Sequence, residues 1–181
     1  FLYRCTSAAE KEVQWDDDVW SLWSDLAEAK EMFREQLNGI GTKLGITNVV
    51  CALSDSTNYR KTVDPTYKSN RKGSRKPVGY AAMKEWVGQH YNTIQKPGLE
   101  GDDCLGLLAT RPGNECIVVS SDKDLKTIPG RLYRPEDDEV LEITLEDADR
   151  FFFTQTLTGD VTDGYKGCPG VGPKTAEKIL G

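Results

Sequence analysis

The sequence predicts an α/β fold with a mainly parallel central sheet flanked by helices. Three observations carry that prediction. "ITNVVCAL" (46–53) and "ECIVVSS" (115–121) are short, continuous apolar runs rich in β-branched residues, the pattern of strands covered on both faces. Stretches with helical periodicity separate these runs. Carboxylates follow both runs, Asp55 after the first and Asp122 and Asp124 after the second. That places them at the carboxyl edge of a parallel sheet, where ligands of such folds bind.

Taken in order, "FLYRC" (1–5) opens as if in mid-strand, so the domain is expected to begin upstream of Phe1. "DDDVWSLWSDLAEAKEMFREQL" (16–37) sets Val19, Trp20, Trp23, Ala27 and Phe33 near a 3.6-residue period behind an Asp-rich first turn, which predicts one amphipathic helix. After the first strand comes a basic stretch to about residue 76, then a helix over "VGYAAMKEWVGQHY" entered at Pro77. "EGDDCLGLLAT" (100–110) predicts a short helix and "DKDLKTI" (122–128) a single helical turn. "RLYR" and "EVLEITL" predict short edge strands, and "EDADRFFFTQTL" (146–157) a helix. Pro173 pre-sets the first turn of a last helix, "KTAEKIL", which is cut at Gly181. The expected division is one α/β domain over 1–157 and the start of a second element over 158–181.

Composition narrows the function classes. With 181 residues the chain can bury a substantial core. It has no apolar run of about 18 residues to cross a bilayer and no secretory leader pattern, so no membrane partner and a cytosolic location are expected. Five cysteines, odd in number and without a C-x-x-C pair, suggest neither a disulfide framework nor a zinc site. The one histidine, His90, ends a helix among polar residues and is expected at the surface, which argues against chemistry by paired histidines.

Charge is distributed unevenly. From Arg60 to Lys76 seven basic residues face one acid, a local +6 in a chain of net charge −6. The rest therefore sums to −12, and several of its acids are clustered: Asp55; Glu100, Asp102 and Asp103 after "KPGL"; Asp122 and Asp124; Asp160 and Asp163. Taken singly, "EGDD" and "DKD" read as helix N-terminal acids and Asp160 and Asp163 as turn formers. Taken together they flank one strand edge and would repel strongly without a cation. Hard divalent ions with oxygen ligands, Mg²⁺ or Mn²⁺, suit such a set. Two of them about 4 Å apart would activate water and stabilise the leaving oxygen in phosphodiester hydrolysis.

Two further stretches point to a polyanionic substrate. "YRKTVDPTYKSNRKGSRK" (59–76) interleaves Tyr59 and Tyr67 with cations, a combination that stacks on bases while neutralising phosphates. If helical, it places Tyr67, Lys68 and Arg71 on one face; the alternative is a solvated loop. "GCPGVGPKTAEK" (167–178) resembles a nucleotide-binding loop only superficially, because Pro173 separates Gly172 from Lys174 and no buried strand precedes it. What remains is a tight turn in which Gly170 and Gly172 permit positive φ, leading into a helix N-terminus whose free N–H groups suit a backbone phosphate.

The ordered set "DSTNYRKTVDPTYKSNRK", "KPVGY", "LEGDD", "SDKDLKTIP" and "GDVTDGYKGCPGVGPKTAE" resembles the 5′-nuclease family of flap endonucleases and 5′→3′ exonucleases, particularly its T7-type phage branch, over about residues 50–181. The resemblance implies a PIN/5′-nuclease-like fold and a two-metal site. Asp55, Glu100 and Asp102 would serve one ion with Asp103 beside them; Asp122, Asp124 and Asp163 would serve the other with Asp160 near. Lys68 and Arg71, with Lys72, match the basic residues of the family's helical arch (about 58–76), and Tyr67 would stack. Gly170, Gly172, Lys174 and Thr175 match a helix–three-turn–helix hairpin that grips duplex phosphate, often with K⁺. The implied partner of this monomer is DNA with a 5′ end or 5′ flap, or the RNA strand of a hybrid. The implied setting is phage replication or recombination in the host cytoplasm. The family's opening aspartate precedes residues equivalent to "FLYR" and is absent here, as is the C-terminal part of the DNA-binding region, so a trimmed or partial form is expected. The residues themselves leave open a DNA-binding module of the same fold that assembles no metal.

Overall fold

The computed structural model describes residues 1–69, 73–113 and 115–181. Packing divides the chain into two units interleaved in sequence: Phe1–Leu53 with Gly73–Ile94, and Ser54–Lys72 with Gln95–Gly181.

In the first unit the N-terminal residues form a helix, α1 (Leu2–Ala8), where a strand was expected, because Cys5, Thr6 and Ala9 are buried together along one face. The predicted single helix over 16–37 is also corrected. Residues 10–24 form an antiparallel hairpin, β1 (Glu10–Asp16) and β2 (Val19–Ser24), with Lys11 opposite Trp23 and Val13 opposite Ser21. Asp17 and Asp18 make its turn rather than a helix start, and "VWSLW" follows strand preference for aromatic and branched residues. The helix waits for a true N-cap. Asp25 accepts hydrogen bonds from the N–H groups of Ala27 and Glu28 (both 3.1 Å), and α2 runs from Leu26 to Leu44 until Gly45 closes it at φ 66°. The hairpin buries little: Trp15, Trp20 and Trp23 are 71, 57 and 44% exposed.

Helix α4 (Tyr80–His90) starts three residues after Pro77 and packs with α1 and α2 around Cys5, Ala29, Phe33, Leu53, Met83, Trp86 and Val87. Phe33 meets Trp86 and Tyr91 edge-on at 6.2 and 5.4 Å. The strand predicted from "ITNVVCAL" is only β3 (Val50–Ala52), paired in parallel with β4 (Asn92–Ile94), a strand too short to show a pattern in the sequence. His90 is exposed as expected, stacked on Trp86 with Nδ1 2.8 Å from the Trp86 carbonyl.

In the second unit, α3 (Arg60–Val63) precedes α5 (Gly101–Ala109), β5 (Ile117–Val119), a 3₁₀ turn (Lys123–Thr127), β6 (Gly130–Arg134), β7 (Glu139–Ile143), α6 (Leu145–Thr158) and α7 (Pro173–Leu180). β5 and β6 pair in parallel, β6 and β7 antiparallel. β6 is therefore the middle strand, not an edge, and it buries Leu132 and Tyr133. Its core joins Val118, Leu125 and Leu132 to Leu105, Leu141 and Ile143. Among the described residues the sheets are thus small and mixed rather than one mainly parallel sheet: the parallel pairings β3–β4 and β5–β6 run for three residues each, and β6–β7 and β1–β2 are antiparallel.

Candidate active site

The carboxylates singled out by sequence lie in the second unit, and local structure fixes each of them. Asp55, just beyond the first strand run, accepts hydrogen bonds from the Gly98 N–H (2.8 Å), Thr57 Oγ1 (2.7 Å) and Gln95 Nε2 (3.1 Å). These donors, the Gly98 amide foremost, hold its carboxyl well below the usual range. Glu100, Asp102 and Asp103 occupy the N-cap and first turn of α5, where the helix dipole favours negative charge. Asp122 caps the 3₁₀ turn by accepting the Asp124 N–H at 3.0 Å.

Asp102 and Asp103 have opposite surroundings. Asp103 takes both arms of the Arg60 guanidinium (2.6 and 2.8 Å) and the Glu100 N–H (2.9 Å), and the Arg60 hydrogen bonds hold its pKa down. Arg60 itself lies over the rings of Tyr59 and Tyr67 at 5.0 and 5.8 Å. Among the described residues no hydrogen-bond donor serves Asp102. Its side chain keeps a solvent-facing side, but protein packed around it, then Asp122 and Glu100, push its pKa up to about 6.

Glu100 and Asp163 converge on a cation, and that cation is the ammonium of Lys68. Nζ stands 3.1 Å from both Glu100 carboxylate oxygens and 3.7 Å from Asp163 Oδ1. Tyr67 adds its hydroxyl to the same pair, 3.0 Å from Glu100 Oε2 and 3.4 Å from Asp163 Oδ2. Burial works against the charged Lys68, but Tyr67, Glu100 and Asp163 outweigh it and raise its pKa. Burial first, with Glu100 adding to it, pushes the Tyr67 phenol up to about 12. Lys68 reaches this position from a left-handed backbone, φ 54°, which costs a side-chain-bearing residue about 1 kcal/mol. α3 ends at Val63 and Tyr67 and Lys68 sit in a turn; the helical face they would share with Arg71 runs outside the described residues. Arg71 and Lys72 lie outside the described residues.

Asp124 and Asp160 have partners of their own. Gln155 on α6 donates to Asp124 Oδ1 at 2.6 Å, and Lys123 holds Asp160 in an ion pair. Asp160 also accepts the Thr162 N–H at 2.7 Å and bridges to Tyr165. Sequence reading missed Arg60, Lys123 and Gln155 as partners of named acids. Lys123 was visible inside "SDKD"; nothing in "FFFTQTL" marks Gln155.

After α6 the chain folds through Gly159 and Gly167, both at positive φ and so close that a Cβ on either would meet the other's backbone. Gly170 has φ 75°, as expected, whereas Gly172 is extended (φ −98°, ψ 178°) and serves as the N-cap of α7. Gly170, Gly172, Lys174 and Thr175 are all exposed there.

Among the described residues no three His, Cys, Asp or Glu side chains stand in an arrangement that would by itself hold an ion. The donor chemistry nevertheless fits hard divalent cations: every ligand on offer is a carboxylate oxygen, Asp102 lacks a donor of its own, and Glu100 and Asp163 already gather round a positive charge. Among the described residues no helix is long and apolar enough to cross a membrane.

Residues 26–141 match the model of the family described as 5′-3′ exonuclease, N-terminal resolvase-like domain. The chain is 37% identical to the exodeoxyribonuclease of Enterobacteria phage T3 and 36% to the exonuclease of Escherichia phage T7, in each case over 99% of this chain. It spans 63% of the length of those relatives. Its fold is similar to that of the T5 D15 protein co-crystallised with metal ions (TM-score 0.69, 17% identity, 83% of this chain and 66% of that one), an α/β fold of the PIN-like type.

Proposed function

The chain belongs to the 5′-3′ exonuclease family, and on that premise we propose that it is a metal-dependent nuclease that hydrolyses DNA phosphodiester bonds at or near 5′ ends, as an exonuclease and on 5′ flaps. The observation that carries this reading is the gathering of Glu100 and Asp163 on one positive charge beside Asp102, whose carboxyl is raised to about 6 by burial and by neighbouring Asp122 and Glu100. The names of the phage T3 and T7 relatives and the metal ions of the T5 D15 structure support it.

Asp55, Glu100 and Asp102 would hold one Mg²⁺ or Mn²⁺ ion, with Asp103 beside them; Asp122, Asp124 and Asp163 would hold a second, with Asp160 near. Such ions, when bound, supply activation of water and neutralisation of charge on the leaving oxygen. Lys68 and Arg71 orient the scissile phosphate and stabilise the charge it gains, and Tyr67 offers a stacking surface for a terminal base. The turn over 167–172 and the start of α7 present N–H groups, Lys174 and Thr175 to duplex phosphate, with K⁺ as a further ion there. Residues 158–181 thus begin a DNA-binding region attached to the nuclease fold. The enzyme acts as a monomer in phage DNA replication and recombination, and the RNA strand of a hybrid is a second substrate.

The test uses a 5′-labelled duplex and a flapped duplex with Mg²⁺ or EDTA, beside the Asp122→Asn variant. Metal-dependent release from the 5′ side, lost in the variant, is expected. Tight DNA binding with no cleavage in Mg²⁺ would leave a non-catalytic DNA-binding module in its place.

A further inference from the structure

Lys68 stands in two roles that one position cannot fill at once. As a phosphate-orienting residue it must extend its ammonium to substrate, yet here Nζ is bound to Glu100 (3.1 Å to both oxygens) and Asp163 (3.7 Å), the carboxylates read above as metal ligands. We propose that the Lys68 ammonium and a divalent cation are mutually exclusive occupants of the Glu100 and Asp163 carboxylates, so that metal loading releases Lys68 and Tyr67 to the DNA phosphate.

Three features of this chain support the exchange. The carboxylate oxygens facing Lys68 are the ones a hard cation would take, and a doubly charged ion competes with a single ammonium for them. Tyr67 is tied to the same two residues through its hydroxyl, at 3.0 and 3.4 Å, so its tether loosens with that of Lys68. The left-handed backbone at Lys68 (φ 54°) is relaxed by release rather than by retention. Arg60 also reaches Glu100, Nη1 standing 3.7 Å from Oε2, but both arms of its guanidinium are hydrogen-bonded to Asp103, so it stays with Asp103 and keeps the start of the segment anchored when Lys68 leaves. By linkage, an exchange of this kind makes metal binding and phosphate binding strengthen each other through Lys68.

The inference rests on the cation-site reading above, and the test separates the two. Mn²⁺ is titrated by calorimetry, without DNA, into the wild type, Lys68→Met and, as a control for lost charge on the same segment, Lys61→Met. Lys68→Met is expected to bind Mn²⁺ about five- to tenfold more tightly than wild type, Lys61→Met less than about twofold. In the wild type, Mn²⁺ is expected to speed tryptic cleavage after Lys68, followed by mass spectrometry, a readout that does not depend on how the variant folds. Equal affinities for Lys68→Met and Lys61→Met, or slower cleavage after Lys68 with Mn²⁺, would overturn the exchange while leaving the cation site. Absence of Mn²⁺ binding in all three proteins would overturn the site and the exchange together.

Discussion

The two flanks of the first turn of α5 hold adjacent acids in opposite states. On one flank Asp103 is saturated by the Arg60 guanidinium and the Glu100 N–H, and its pKa is held down. On the other, Asp102 has repelling neighbours in Asp122 and Glu100 and is pushed up to about 6. Identical side chains one position apart therefore do different work. An acid supplied with donors is tied into the fold, whereas in the function proposed above an acid denied them is the one that would take a cation brought from outside.

The largest expected effect breaks the poised flank. Asp122→Asn should lower metal-dependent cleavage by about 10²–10³-fold, as removal of a preorganised charge at a reacting centre does. It should also raise the melting temperature of the metal-free protein by relieving repulsion of Asp102. A fall in both activity and metal-free stability would show that Asp122 belongs with the saturated acids. Next comes the anchored flank: Arg60→Ala should cost about 1–2 kcal/mol in urea unfolding, because it strips a partly buried carboxylate of a two-armed partner.

A pH series sharpens the contrast further. Asp102 binds its proton more tightly folded than unfolded, so its contribution to stability is full below about pH 4 and is lost as pH rises through about 6. Asp103 runs the other way, contributing above its unfolded pKa and losing that contribution as pH falls below it. Metal-free urea midpoints between about pH 4 and 7 should therefore show a downward component with rising pH that Asp102→Asn removes and millimolar Mg²⁺ suppresses; an unchanged profile in Asp102→Asn would refute the poised state. The smallest effect is expected for Thr57→Ala, which takes one of several donors from Asp55 and should lower the melting temperature less than Arg60→Ala does.

These distinctions were only partly legible in the sequence. The acids and the lysine were legible, because "LEGDD", "SDKD" and "TYKSNR" place charge at element ends in recognisable order. Their partners were not, since Arg60 to Asp103 spans 43 positions and Lys68 to Glu100 spans 32, and single-sequence patterns report neighbours along the chain. Elements followed the same rule. α5, α6 and α7 carry their own caps and periodicity and were readable. The hairpin over 10–24 was misread as helix because Val19, Trp20 and Trp23 satisfy helical spacing by coincidence, and only the Asp25 cap, two residues past Trp23, settles where α2 starts. The left-handed backbone at Lys68 had no signal, since neither glycine nor asparagine marks it.

That hairpin also determines what intrinsic emission from this protein will report. Three of its four tryptophans, Trp15, Trp20 and Trp23, are largely exposed on β1 and β2, and only Trp86, at 7% exposure, lies in the core. Indoles in contact with water emit at long wavelength whether the chain is folded or not. The native spectrum should therefore be red-shifted, and most of the signal will stay unchanged while the core melts. Only the Trp86 share of the emission would then report unfolding, and circular dichroism or calorimetry is the sounder witness to it.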